Sequence, residues 1–189
     1  LEFLSGLVED RFHANRPVAY RKIGRYLATE IIGVGGYSFV YKGMNTFINL
    51  PVAIKVLKYS LAFNTDFRKT FSNEAKIVAT FNHENIIRVY DIEERYRTIF
   101  IIMEHLDGET LEFYIERKTK IPIEETIHIL AQVAAALDYA HKRGLIHRDI
   151  KPSNIILMKD LKVKLIDFGV ACPPETDDFY IGGILHFNA

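Results

Sequence analysis

The chain has 189 residues, 49% of them apolar and 25% charged, an ordinary globular mix for one domain or for one domain and part of another. Its 24 basic and 24 acidic side chains leave no formal net charge, which excludes a global field favouring nucleic acid or an anionic membrane, so any polyanion must be attracted locally. The lone Cys172 excludes an internal disulfide and fits a reducing, cytoplasmic compartment, while the apolar run Ile99 to Met103 is far too short to span a bilayer.

Residues 1–22 read as a solvated leader or linker, with Arg11, Arg16, Pro17, Arg21 and Lys22 outweighing the short apolar set Phe3, Leu4, Leu7 and Val8. From Tyr26 the pattern turns to strands: YLATEII, then glycines, then SFVYKGM, then PVAIKVL. The segment GVGGYSFV places Gly33, Gly35 and Gly36 between two strands, where a backbone without side chains can approach phosphate oxygens. A plain hairpin turn explains the same glycines. Because a strand and not a helix follows, the Walker and Rossmann patterns are excluded.

In PVAIKVL, Ala53, Lys55 and Leu57 share one face and Val52, Ile54 and Val56 the other. A lysine among apolar neighbours is costly unless an anion meets it, although an edge lysine reaching water is the simpler case. A helix is predicted from Asn64-Thr65-Asp66, with Phe67, Phe71, Ala75 and Val78 as its apolar stripe. Glu74 lies beside that stripe, either as the anion for Lys55 or as a surface charge.

Two strands follow, near Ile86 to Glu93 and Thr98 to Met103, and then a polar connector from Glu104 to Gly108. A short helix is predicted over Thr110 to Lys118 and a long one over Glu124 to Arg143, where Ile127, Leu130, Ala134, Leu137 and His141 recur at helical spacing before Gly144. The histidines have no cysteine partners at zinc-binding spacing.

The densest chemistry lies in HRDIKPSNIILMKDLKVKLIDFG, from His147 to Gly169. It offers Asp149, Lys151 and Asn154, and then Asp167 thirteen residues after the asparagine. HRDxKxxN followed by DFG, together with the glycine-rich turn and the VAIK lysine, resembles the eukaryotic-like protein kinase family in its bacterial form. Ser38 takes the place of the third glycine of that family's loop.

The resemblance implies a bilobal α+β fold: a complete small lobe over 23–103, with five antiparallel strands and one helix, and a partial helical large lobe over 104–189. It implies ATP and Mg2+ as cofactors and a protein hydroxyl as acceptor. Asp149 would orient that hydroxyl, Lys151 steady the γ-phosphate, and Asn154 and Asp167 ligate Mg2+. Lys55, paired with Glu74, would hold the α- and β-phosphates. Gly33, Gly35, Gly36 and Ser38 would cover the phosphates. Val40, Ala53 and Ile156 would sandwich adenine, although a core role fits them equally well. Met103 would be the gatekeeper, with the backbone of Glu104 and Leu106 holding the base. His147 would pack structurally with Phe168, Val78 and Val89. Lys151 favours the Ser/Thr branch.

The resemblance also implies a switch in which a phosphorylated loop compensates a buried Arg148, with Thr176 as the expected site and Tyr180 as the other candidate. Ile184 stands where the family has a threonine, and the chain stops within the activation segment, so an incomplete kinase domain is expected. The competing reading is a pseudokinase or truncated scaffold that binds nucleotide or a partner without turnover. An apolar large-lobe face left uncovered would favour self-association.

Overall fold

The structure is a computed structural model and describes residues 21–168; within them, the side chains of Arg21, Tyr59, Ser60 and Glu74 lie outside the description. Six strands form one antiparallel sheet: β1 (Arg21–Ile23), β2 (Tyr26–Val34), β3 (Ser38–Asn45), β4 (Leu50–Leu57), β5 (Val89–Arg95) and β6 (Thr98–Glu104). Their order is β1-β2-β3-β4-β6-β5. The sheet thus has one strand more than the sequence suggests. Strand β1 begins inside the stretch expected to be a leader, and three residues are too few to leave a periodic signal. Ile23 nevertheless anchors it, buried with Tyr26 and Ala28.

Alternation in β4 sorts its side chains as expected. Val52, Ile54 and Val56 pack with Tyr41, Phe100 and Ile102, whereas Leu57 joins Phe71, Ala75, Ile99 and Ile101 on the other face. Between β4 and β5 run a short helix α1 (Tyr59–Ala62) and the longer α2 (Thr65–Ala79). Asn64 caps α2, its side chain accepting from the N–H groups of Asp66 and Phe67. Such a cap contributes about 1 kcal/mol and fixes where the helix starts. Phe71, Ala75 and Val78 are buried as the stripe predicts, while Phe67 is partly exposed at the first turn.

Beyond β6 lie helices α3 (Leu111–Lys118) and α4 (Ile123–His141) and a small antiparallel sheet of β7 (Gly108–Thr110), β8 (Ile155–Met158) and β9 (Val163–Leu165), in that order. The expected stripe of α4 is not the one it buries. Ile129, Val133, Ala136 and Ala140 face the core, leaving Ile127 and Leu130 exposed at 62% and 56%. Helix α4 is apolar on two sides, and the inner one, with Ile129, Val133, Ala136 and Ala140, packs toward β9.

Residues 82–88, after α2, tie the two parts together. The Leu165 N–H donates to Asn85 O at 2.8 Å, and the Ile87 N–H donates to Leu165 O at 3.0 Å. Asn85 Nδ2 donates to Val163 O and to Gln132 Oε1, and the Asn82 N–H donates to the Tyr139 hydroxyl. Every one of these joins a loop to the α4–β9 layer, so the sheet of β1–β6 is held against the strand that leads into Asp167.

Candidate active site

Lys55 sits mid-strand in β4, opposite Val40 of β3 and Ile101 of β6. Its side chain is only 10% exposed, and Nζ meets Asp167 Oδ1 at 2.7 Å. A lysine this deep needs an anion, and the loop after β9 supplies one. Whether Glu74 is a second anion is outside the described side chains, although α2 does pack on the face of β4 that bears Lys55 and Leu57.

The loop between α4 and β8 carries the second cluster. Asn154, buried at the end of a 3-10 turn (Pro152–Asn154), donates through Nδ2 to Asp149 O at 2.8 Å and to Asp149 Oδ2 at 2.9 Å. Lys151 Nζ lies 2.9 Å from the same Oδ2. The Ile166 N–H donates to Asn154 O at 2.9 Å, which ties this cluster to the peptide just before Asp167. Asp149, Lys151 and Asn154 are therefore in direct contact, and the Ile166–Asp167 backbone joins them to the Asp167–Lys55 pair.

His147 explains how two loops keep their shape. Arg148 and Asp167 both adopt left-handed backbone conformations, with φ of 61° and 63°, which non-glycine residues avoid unless held. His147 Nε2 lies 3.3 Å from Ile166 O, and the Asp149 N–H lies 3.3 Å from Nδ1. A carbonyl can only accept and an N–H can only donate, so the imidazole is neutral with its proton on Nε2. Burial agrees with this: it pushes the His147 pKa below its ordinary value of 6.5, against the opposing pull of Asp167 and Asp149. The ring stacks on Phe168 at 4.4 Å between centroids, and Val78 and Val89 belong to the same core. Phe81, which the sequence analysis did not single out, packs edge-on against Phe168 at 6.0 Å. Its only sequence signal is its place as the first large apolar residue beyond the α2 stripe.

The glycine-rich segment is placed slightly differently from expectation. Gly33 lies within β2, facing Val40, and the turn itself is Gly35 to Tyr37, closed by the Gly35 N–H donating to Ser38 O at 2.9 Å. Val40 and Ala53 belong to neighbouring strands of the sheet, and Ala53 pairs with Met103. Ile156 belongs to β8 and is half-buried while Ile155 and Leu157 are buried, so it faces away from their core. At the end of β6 the Glu104 N–H donates to Arg88 O at 2.9 Å, which leaves the Glu104 carbonyl and the half-buried Leu106 on the connector. Arg148 is exposed, not buried as expected, and Thr176, Tyr180 and Ile184 lie outside the described residues.

The donor set suits magnesium. Asp167 offers a carboxylate, and Asn154, with Nδ2 turned to Asp149, keeps its amide oxygen; both are hard oxygen ligands, and magnesium takes few of these from protein. Among the described residues no three or more His, Cys, Asp or Glu side chains are grouped so as to hold a metal ion.

A curled antiparallel sheet with a buried lysine, facing a loop with Asp149 and Asn154 and a second loop with Asp167, defines a protein of the kinase-like α+β class. The sequence profile described as the protein kinase domain matches residues 26–180, and the chain belongs to that family. It is 42% identical over 147 residues to a probable serine/threonine-protein kinase of Clostridium acetobutylicum, covering 78% of this chain and 22% of that protein. It is 34% identical over 154 residues to the serine/threonine-protein kinase PrkC of Bacillus subtilis, covering 82% and 24%. To the serine/threonine-protein kinase PknB of Mycobacterium leprae it is 37% identical over 151 residues, covering 78% and 24%. The chain thus spans about a quarter of the length of these curated relatives. No helix among the described residues is long and apolar enough to cross a membrane.

Proposed function

We propose that this chain carries the nucleotide-binding and catalytic part of a protein serine/threonine kinase that moves the γ-phosphate of ATP to a protein hydroxyl. The observation that carries the reading is the chain from Lys55 through Asp167 and the Ile166 backbone to Asn154, Asp149 and Lys151. In this reading the small lobe runs from β1 to residue 103, and the hinge and part of a large lobe follow from residue 104. Bound ATP with Mg2+ supplies the transferable phosphoryl group and the charge that neutralises it. Phosphoryl transfer then asks the protein mainly for alignment and compensating charge.

Each residue has a role consistent with its place. Lys55 holds the α- and β-phosphates, paired with Glu74. Asp167 and Asn154 hold the metal. Asp149 accepts a hydrogen bond from the acceptor hydroxyl and orients its oxygen, and Lys151, already beside Asp149, meets the γ-phosphate. The glycine-rich segment with Gly33, Gly35, Gly36 and Ser38 covers the phosphates, Gly35 through its turn-closing bond to Ser38 and the others through their backbone. Val40, Ala53, Met103 and Ile156 enclose the base, which Glu104 and Leu106 bind through their backbone. ATP as co-substrate places the domain on the cytoplasmic side.

A second reading, a nucleotide-binding scaffold without turnover, is favoured by one feature: the exposed apolar stripe of Ile123, Ile127 and Leu130 on α4. That stripe is a surface for further protein, either the rest of a helical lobe or a second copy of this chain. The test is a phosphorylation assay of the full-length protein with MgATP, with Lys55→Met and Asp149→Asn as controls, beside a thermal-shift series with the nucleotide. Turnover abolished by both substitutions supports the kinase. Stabilisation by MgATP without turnover supports the scaffold.

A further inference from the structure

The turn Gly35 to Tyr37 is held from one side by a residue that neither the motif nor the site above accounts for. Lys58 follows β4, and its backbone N–H donates to Tyr37 O at 2.9 Å, which extends the β3–β4 pairing by one position. Its ammonium donates to Gly36 O at 2.9 Å and lies 5.2 Å from the centre of the Phe39 ring.

Strand register says which side this is. Val40 is opposite Lys55, so the two share a face; Phe39 is opposite Val56, and these share the other. The contact of Lys58 Nζ with the Phe39 ring puts the ammonium on the Phe39 and Val56 face, away from Lys55 and Asp167. It therefore draws the Gly36 carbonyl toward the outer face of the sheet. The Gly36 C=O and the Tyr37 N–H belong to one planar trans peptide and point in opposite directions. With the carbonyl held outward, the Tyr37 N–H is turned to the face where Lys55 meets Asp167. The Tyr37 ring rests against Phe67 of α2 at 5.4 Å between centroids, so the far end of this peptide is held as well. A Cβ added at Gly36 would meet nothing within 4 Å, so the turn is open at that residue.

We propose that Lys58 is a positioning residue for phosphate binding: by holding the Gly36 carbonyl on the outer face, it aims the Tyr37 N–H at the phosphate tail of a bound nucleotide. This rests on the nucleotide-binding reading above. Lys58 acts through the peptide and does not touch the ligand, so its loss removes affinity for phosphates and not for the base.

The test is calorimetric titration of the full-length protein with MgATP and, separately, with adenosine, for wild type, Lys58→Met, Lys58→Gln and Lys58→Arg. Lys58→Met and Lys58→Gln are expected to bind MgATP about fivefold more weakly, the weight of one modest hydrogen bond, with adenosine affinity unchanged and Lys58→Arg close to wild type. Unchanged MgATP affinity in the first two variants overturns the proposal. Equal losses for adenosine and MgATP also overturn it, since a general loosening of the sheet would weaken both. Wild-type protein that binds adenosine but no MgATP, or neither, removes the nucleotide reading itself, and the wild-type titrations report that separately from the variants.

Discussion

Lys55 and Asp167 are 112 residues apart in the chain, and their side chains meet at 2.7 Å. The lysine is 10% exposed and the carboxylate 43%, so the cation is the buried partner and the anion reaches solvent. The group best placed to take a metal is thus the one that also neutralises the lysine. A metal at Asp167 would compete with Lys55 for that carboxylate.

From this contact, Lys55→Met and Asp167→Asn should each lower kcat/KM for protein phosphorylation by the full-length protein by about a hundredfold or more. Because the two groups act as one unit, the double variant should be scarcely worse than the poorer single. Steady-state phosphate transfer from labelled ATP measures all three. Losses that multiply would show that the pair acts as two independent groups.

His147 makes stability depend on pH. Burial lowers its folded pKa below the ordinary 6.5, so above that value both folded and unfolded forms are neutral and the residue contributes no slope. As pH falls through 6.5 the unfolded chain takes up a proton that the folded chain resists, and stability declines until the folded pKa is passed. Protonation would also place a hydrogen on Nδ1, against the N–H of Asp149. The melting temperature should therefore fall between pH 7.5 and 5.5, with a shallower fall in His147→Gln. Identical slopes in the two proteins would remove the assignment.

Gly108 is confined by contact and not by conformation. A Cβ there would lie 2.3 Å from Leu157 O, across the β7–β8 pair. That atom is backbone and cannot step aside, so Gly108→Ala must part the strands. The expected cost is about 3 kcal/mol, read from the midpoint of denaturant unfolding. Gly36→Ala, with open space around it, should change the same midpoint little.

What could be read from the sequence follows from periodicity and from motif spacing. Alternation in β4 placed Lys55 on the face of Leu57, and the Asn64 cap marked the start of α2 within a residue. The loop residues Asp149, Lys151, Asn154 and Asp167 were legible because the spacing between them is rigid. Helix α4 was misread because both of its sides are apolar, and the composition of a stripe does not say which side a small sheet will cover. Strand β1 is too short to carry a period. Asn85, Gln132 and the pair Glu104–Lys164 were invisible for a different reason: their partners are backbone groups or distant charges that only the fold brings close.

That last pair offers a direct measurement of how the connector is fixed. Glu104 Oε1 accepts from Lys164 Nζ at 2.6 Å and from the Arg88 N–H at 2.8 Å, and Lys164 also donates to Ile86 O at 3.1 Å. The side chains are 13% and 20% exposed for Lys164 and Glu104, so removing either leaves a mostly buried charge unpaired. Glu104→Leu or Lys164→Met alone should each cost about 2 kcal/mol, below the cost of breaking a fully buried pair because both side chains retain some contact with water. Replacing both with apolar residues of similar size, Glu104→Leu with Lys164→Met, should recover most of that loss. Recovery will be incomplete, because the Arg88 N–H loses an acceptor. Urea unfolding of the four proteins closes the cycle. If the double variant loses the sum of the singles, the two charges are not coupled, and the end of β6 owes its position to the Glu104 backbone bond with Arg88 alone.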